Sequence, residues 1–307
     1  MQILLTGGTG FIGTSLAQSL LEDGNELIVL SRRGHTDRPR CRYVQSLDKI
    51  SGRVKLDAVI NLAGASLAAR RWSAAYKREI VTSRLDVTRE LLALFSRMER
   101  RPPVLLSASA VGYYGHHGDG VLIESSPPAP GFAQALCRDW EGLALQVESL
   151  GVRVCLLRLG VVLDSGGGAL AQMAKSFRFG VASWLGSGHQ WLSWVHRRDV
   201  VRALIFLLKR GDMQGPFNIT SPGPVTSRGF AAALQAHHST FVRAGVPAPV
   251  MRALVGEMAD ELLLNGQRVV PQRLQAAGFE FTYPDIESAL AACYADHTRL
   301  RTRNSSG

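Results

Sequence analysis

Ile3-Leu4-Leu5-Thr6-Gly7-Gly8-Thr9-Gly10-Phe11-Ile12-Gly13 is the stretch whose reading decides the fold. A short apolar run ends in Gly-x-x-Gly-x-x-Gly, and a helical pattern follows at once at Leu16, Ala17, Leu20 and Leu21. Strand, glycine turn and helix in that order build a dinucleotide cradle. The backbone must turn sharply, a pyrophosphate must lie against the amides that open the helix, and the helix must pack close to the strand. A glycine triplet alone says little. Placed at residue 7, between an apolar run and an amphipathic helix, it makes Gly7, Gly10, Phe11, Ile12 and Gly13 the candidate cofactor contacts. The alternative is a merely glycine-rich turn.

Downstream, strands and helices alternate. Leu27-Ile28-Val29-Leu30 reads as a buried parallel strand. About twenty residues past the glycines an NAD site would place Asp or Glu on the ribose 2′-hydroxyl; this chain has Ser31-Arg32-Arg33. A carboxylate repels a 2′-phosphate, whereas two guanidiniums and a hydroxyl bind one, so NADP (NADPH) is expected rather than NAD. An ordinary exposed basic turn would read the same way. The next strand, from Asp57, ends in Leu62-Ala63-Gly64, and ligands of open parallel sheets bind beyond such strand ends. A helical stretch follows to Met98, then the strand Val104 to Ala110, a loop over 115–131, a helix from Phe132 to about Leu150, and the strand Val152 to Leu159 with Arg158 near its end. Asp199 can cap a helix running to about Leu208, Phe217 to Thr220 is a short strand, and the rest is expected to be mainly helical to Ala295.

The bulk properties narrow the class. Of 307 residues, 46% are hydrophobic and 20% charged, which is ordinary globular composition with ample length for a core. No apolar run is long enough to span a bilayer, and the N-terminus goes straight into the first strand, so no membrane contact and a cytoplasmic location are expected. The four cysteines are scattered without Cys-x-x-Cys, which argues for reduced thiols and no metal. The net charge of +10 is spread over short arginine pairs with no aromatic interleaving, so no nucleic-acid partner is expected.

With Gly-Gly-Thr-Gly-Phe-Ile-Gly at 7–13, Asn-Leu-Ala-Gly at 61–64 and Ser107-Ala108-Ser109 before Tyr113-Tyr114-Gly115, the chain resembles the extended short-chain dehydrogenase/reductase superfamily, which includes nucleotide-sugar epimerases. More narrowly it resembles the bacterial "epimerase family" proteins, sometimes labelled nucleoside-diphosphate-sugar epimerases or cell-division inhibitors. The specific marks are 107–115, Ser-Trp-Val-His-Arg-Arg-Asp at 193–199, and Gly-Gln-Arg-Val-Val-Pro-Gln-Arg-Leu-Gln-Ala-Ala-Gly-Phe at 266–279. The resemblance implies an α/β fold, a Rossmann doubly wound parallel sheet with a smaller, mostly helical C-terminal lobe. The Rossmann domain would span 1–165, completed by about 196–222. A substrate-side domain would span 223–297, with a disordered tail over 298–307. It also implies a small-molecule substrate of nucleotide-sugar type.

One part of the superfamily's machinery is missing. Its reductases use Ser or Thr with Tyr-x-x-x-Lys on the helix after the loop, where the lysine lowers the phenol's pKa. None of the six tyrosines here has lysine four residues on, and no lysine occurs between Lys77 and Lys175. The substitutes are Ser109, matching the family serine, and Tyr113 or Tyr114 as acid/base; His196 can relay a proton but in related proteins anchors a helix. Arg158 is a further candidate cofactor contact. Two readings follow: an NADP(H)-dependent oxidoreductase or epimerase-like enzyme, or a catalytically degenerate NADP(H)-binding sensor or scaffold, related to cell division.

Overall fold

The computed structural model describes residues 1–304, with side chains through Ala295. Seven parallel strands form its central sheet: β1 (Gln2–Thr6), β2 (Glu26–Leu30), β3 (Cys41–Val44), β4 (Ala58–Asn61), β5 (Val104–Ala110), β6 (Arg153–Leu159) and β7 (Gly215–Ile219). Their spatial order is β7-β6-β5-β4-β1-β2-β3. The chain starts in the middle, builds outward to β3, then returns to the other side of β1. The crevice where a doubly wound sheet binds its ligand therefore opens between the C-terminal ends of β1 and β4.

The strands are apolar on both faces because both are covered. Ile3 and Leu5 point into one layer with Leu16 and Leu20 of α1 (Phe11–Glu22), while Leu4 points into the opposite layer. That second layer holds Leu91, Leu94 and Phe95 of α2 (Ala74–Arg97) and Ala144 of α3 (Phe132–Leu145). α4 (Arg197–Lys209) lies beside α1, burying Val200, Leu204 and Leu207 against the first layer. Fully burying one such side chain contributes about 1.5–3 kcal/mol, so the alternation along β1 holds both layers in register. Ser73 starts α2 by accepting a hydrogen bond from the Tyr76 amide at 3.1 Å.

The C-terminal lobe has its own core, in which Trp194, Phe230, Leu234, Ile286 and Leu290 are buried together. It is less helical than expected: Val242–Val246 pairs in parallel with Val181–Leu185. Val242 and Val246, β-branched at the two ends of this stretch, favour an extended segment once a partner strand is at hand. Two further differences have similar causes. β3 is too short to stand out before Leu27–Leu30 gives it a register. The expected loop over 115–131 contains Val121–Leu122, which pairs in parallel with Arg268–Val269 in a separate two-stranded sheet that ties this loop to the lobe. The last helix, α5 (Ile286–Asn304), continues through most of the segment expected to be a disordered tail; residues 305–307 lie outside the described residues. Arg299, Leu300 and Arg301 are good helix formers that prolong it. Among the described residues, no helix is long and apolar enough to cross a membrane.

Candidate functional site

The glycine turn has the geometry its residues imply. Gly7 has φ +69°, and a Cβ there would stand 2.5 Å from the Leu62 carbonyl oxygen, on the turn after β4. A Cβ at Gly13 would stand 2.1 Å from the Gly7 carbonyl oxygen. The Gly10 amide donates to the Gly7 carbonyl at 2.9 Å, and α1 starts with Gly10 as its cap residue and no side chain over its amides. The first amides of α1, at Phe11, Ile12 and Gly13, thus meet the crevice with the positive end of the helix dipole. Ile12's side chain packs into the core, so its contribution there is its backbone. Phe11's ring lies under the Arg197 guanidinium at 4.8 Å, and Arg197 is held by Asp164 at 2.8 Å.

The turns after the neighbouring strands complete this side. Asn61 Oδ1 accepts from the Thr6 hydroxyl at 2.6 Å and from the Ala63 amide at 3.4 Å, tying β4's turn, Leu62-Ala63-Gly64, to β1. After β2, Ser31 is buried and its Oγ accepts from the Arg33 amide at 3.3 Å. Arg32 and Arg33 are exposed and form no ion pair with the described residues.

On the β5 side the candidate residues have partners that the sequence does not show. Ser109 is 2% exposed, and its hydroxyl donates to Glu141 Oε1 of α3 at 2.6 Å. Arg158 is 3% exposed and forms a two-pronged pair with Glu141, 2.9 Å on each side. Burial pulls its pKa down, and the hydrogen bonds and charge of Glu141, with Tyr114, more than reverse this, leaving it above the usual value. Arg158 also donates to the Tyr114 hydroxyl at 3.0 Å, and Tyr114, fully buried, donates to Asn218 Oδ1 at 2.7 Å. Burial raises the Tyr114 pKa, only partly offset by Arg158 and Asn218, so this phenol stays neutral and fixed. Glu124 extends the network to the Asn218 and Arg273 amides. Ser109, Tyr114 and Arg158 are thus members of a buried polar network, which a reading of strand ends alone does not reveal. Tyr113 differs. It is half-buried, with the Arg158 guanidinium 3.4 Å above its ring.

The helix that would carry Tyr-x-x-x-Lys is α3. Its face toward β5 presents Ala133, Cys137 and Glu141 at successive helical turns. A Cβ at Gly112 would touch Ala133 Cβ at 3.1 Å, and Cys137 Sγ lies 3.8 Å from the Ala110 carbonyl oxygen. Burial, with the charge of Glu141, pushes the Cys137 thiol up to about 11. The positions suited to an i, i+4 pair therefore hold a methyl group and a neutral thiol. His196 is a helix anchor: its Nδ1 accepts from the Arg198 amide at 3.1 Å, capping α4, and its ring packs on Tyr283 at 4.1 Å. Asp199, expected as that cap, lies buried in the helix's first turn and instead accepts from the Thr282 and Tyr283 amides, 2.9 Å each.

Two features had no clear sequence signal. Glu261 of the C-terminal lobe accepts from the Phe132 and Ala133 amides at 3.2 and 3.1 Å, capping α3 from across the chain. Lys77 donates to both oxygens of Glu257 at 2.8 Å and lies 4.5 Å above the Phe132 ring. Lys77, Glu257 and Phe132 line a cavity of about 460 Å³ with Trp72, at the seam between α2 and the lobe. Of the other tryptophans, Trp194 is core, while Trp191 and Trp184 lie half-exposed under Arg268 and Arg228 at 4.4 and 4.7 Å. All four cysteines are buried and none is in a disulfide. Among the described residues no cluster of metal-ligating side chains occurs.

Comparison with known proteins agrees with this architecture. The family model described as NAD dependent epimerase/dehydratase family matches residues 3–220, and one described as a domain of unknown function, DUF1731, matches 246–293. An epimerase family protein of Mycobacterium leprae is 35% identical over 94% of this chain and 94% of its own length. One of Staphylococcus haemolyticus is 38% identical over 94% of this chain and 97% of its own length. The crystal structure of human epimerase family protein SDR39U1 with NADPH superposes with a TM-score of 0.87 at 32% identity, covering 95% of this chain and 99% of that one. The chain belongs to the NAD dependent epimerase/dehydratase family.

Proposed function

We propose that the protein is an NADP(H)-binding oxidoreductase of the epimerase type, acting on a small molecule of nucleotide-sugar character. The observation that carries this reading is the glycine turn: Cβ atoms at Gly7 and Gly13 would collide with the Leu62 and Gly7 main chain, so only glycines let the turn close this tightly and leave the first amides of α1 bare for a pyrophosphate. Gly7, Gly10 and the amides of Phe11, Ile12 and Gly13 would hold the pyrophosphate. Ser31, Arg32 and Arg33 would hold the 2′-phosphate, and Leu62, Ala63 and Gly64 would border the nicotinamide half. The similar human protein crystallised with NADPH supports this assignment. A bound nicotinamide would supply hydride-transfer chemistry at a substrate carbon. Tyr113 is the phenol left to move the accompanying proton, with the Arg158 guanidinium fixing its ring. The lobe over 223–297 would supply the substrate side, where Glu257 and Glu261 already meet the first turns of α2 and α3.

Arg32→Ala with Arg33→Ala should lower the NADPH-to-NADH affinity ratio by about tenfold or more. An unchanged ratio would remove the 2′-phosphate assignment. Anaerobic single-turnover oxidation of bound NADPH by a panel including nucleotide sugars tests the enzyme reading. Tyr113→Phe should slow that step by about a hundredfold or more. The second reading, a catalytically degenerate NADP(H)-binding sensor or scaffold, is favoured by the engagement of the Ser109 and Tyr114 hydroxyls and by Ala133 and Cys137 on α3. Tight NADPH binding without turnover across the panel would favour it.

A further inference from the structure

Arg84, on α2, is a cation without a counter-charge at the nicotinamide end of the crevice. Its Nη2 donates to the Ala65 carbonyl at 3.0 Å and its Nη1 to the Ile80 carbonyl at 2.9 Å. Its guanidinium carbon lies 3.0 Å from where a Cβ on Gly64 would stand, and 5.3 Å from the centroid of the Trp140 ring. Gly64 follows β4, and Trp140 packs with Ala108 of β5, so the charge sits over the ends of these two strands. No Asp or Glu among the described residues pairs with it; Glu141, on the adjoining helix, is taken by Arg158 and Ser109. Burial lowers its pKa, and the charged forms that would oppose this belong to the Cys137 thiol and the Tyr76 phenol rather than to a carboxylate. Arg158, by contrast, a strongly buried arginine, is paired with a carboxylate, Glu141. Main-chain carbonyls and an aromatic face stabilise Arg84's charge without cancelling it, so its field reaches the crevice weakly screened.

The two redox forms of a nicotinamide cofactor carry the same phosphates and differ by one positive charge, on the ring. In a doubly wound sheet the adenosine half lies over β2, here with Arg32 and Arg33, and the nicotinamide half crosses to β4 and β5, where Arg84 sits. We propose that Arg84 makes the site selective for the reduced cofactor, its unpaired charge raising the dissociation constant of NADP⁺ relative to NADPH. This rests on the NADP(H) reading above. It makes the resting protein a holder of NADPH, which suits either a reductase or a sensor of the reduced pool.

The ratio of the two dissociation constants is the quantity to measure, by titrating NADPH fluorescence and displacing it with NADP⁺. The wild-type protein should bind NADP⁺ about tenfold more weakly, the size of one unit-charge repulsion across roughly 10 Å at an effective dielectric of about 20. Arg84→Gln, which keeps a donor for the Ala65 carbonyl, and Arg84→Met should bring the ratio close to one. Arg84→Lys should keep it well above one, and Arg32→Ala should weaken both forms together. A residue that merely clamps the 63–66 turn would shift both constants alike and leave the ratio where it was. Equal affinities in the wild-type protein, or a ratio unmoved in Arg84→Gln and Arg84→Met, overturn the proposal, and the wild-type and Arg84→Lys values decide it even if the neutral variants do not fold. Failure of the wild-type protein to bind either form would instead overturn the nucleotide reading itself.

Discussion

Glu141 accepts from Ser109 on one oxygen and from Arg158 on both, at a site where neither charged partner is more than 5% exposed. A buried pair of this kind contributes little net stability while intact, because desolvation offsets most of the attraction. Removing one partner strands the other, at about 3–5 kcal/mol. Arg158→Met should therefore cost that much in a urea titration, and Glu141→Gln a large part of it. Glu99→Gln, in a pair with Arg53 whose side chains are 69% and 85% exposed, should change stability by less than about 1 kcal/mol. A wild-type midpoint for Glu141→Gln would mean that Ser109's bond to Glu141 is dispensable, returning that hydroxyl to the list of reactive groups. Sequence could place Ser109 at a strand's end, because strand ends are local. It could not say that a carboxylate 32 residues on would claim its hydroxyl, because that pairing exists only once α3 packs on β5.

At the scale of elements, α1 and α3 open in opposite ways. α1 begins on amides that no side chain caps, and α3 begins on amides that Glu261 of the distant lobe already occupies. The first was legible: glycine spacing, apolar run and helical period lie within about twenty consecutive residues. The second was not, since Gly131 before Phe132 shows no capping side chain and Glu261 is 129 residues away. Glu261→Ala should cost about 1 kcal/mol, the usual worth of a cap, and should speed hydrogen exchange at the opening turn of α3 far more than at its C-terminal end. Uniform protection along α3 in that variant would show that packing against α2 and the 3₁₀ turn Val111–Tyr114 holds this helix unaided. The missing Tyr-x-x-x-Lys belongs to the same scale. It was visible as a sequence absence, and the structure adds which residues, Ala133 and Cys137, fill the face where the pair would stand.

For the whole molecule, the doubly wound order was largely readable because most strands, β3 excepted, carry their own apolar run and the crossovers after β1, β4, β5 and β6 carry a helical period. The lobe was less so, because its short ribbons borrow partners from far along the chain, as Val121–Leu122 does from Arg268–Val269. Cooperativity between these parts can be probed through two thiols in the Rossmann half. Burial pushes Cys137 on α3 and Cys155 on β6 up to about 11 from an ordinary 9.0, with Glu141 adding to the first and Arg153 partly opposing the second. A group whose pKa is raised on folding stabilises the native state below its unfolded pKa and loses that contribution as pH climbs to the folded value. In the window from 9.0 to about 11 the unfolded chain has released two protons that the folded chain keeps. Stability should then fall with pH at up to roughly 2.7 kcal/mol per unit from these two groups. Other groups titrate there too, so the informative quantity is the difference between wild type and Cys137→Ala with Cys155→Ala. The variant starts less stable at pH 8 because it has two small cavities, and the gap should narrow or reverse by pH 10.5. Equal slopes for the two proteins would mean that these thiols ionise in the native state as easily as in the unfolded one, and the interior around α3 and β6 would then have to admit water.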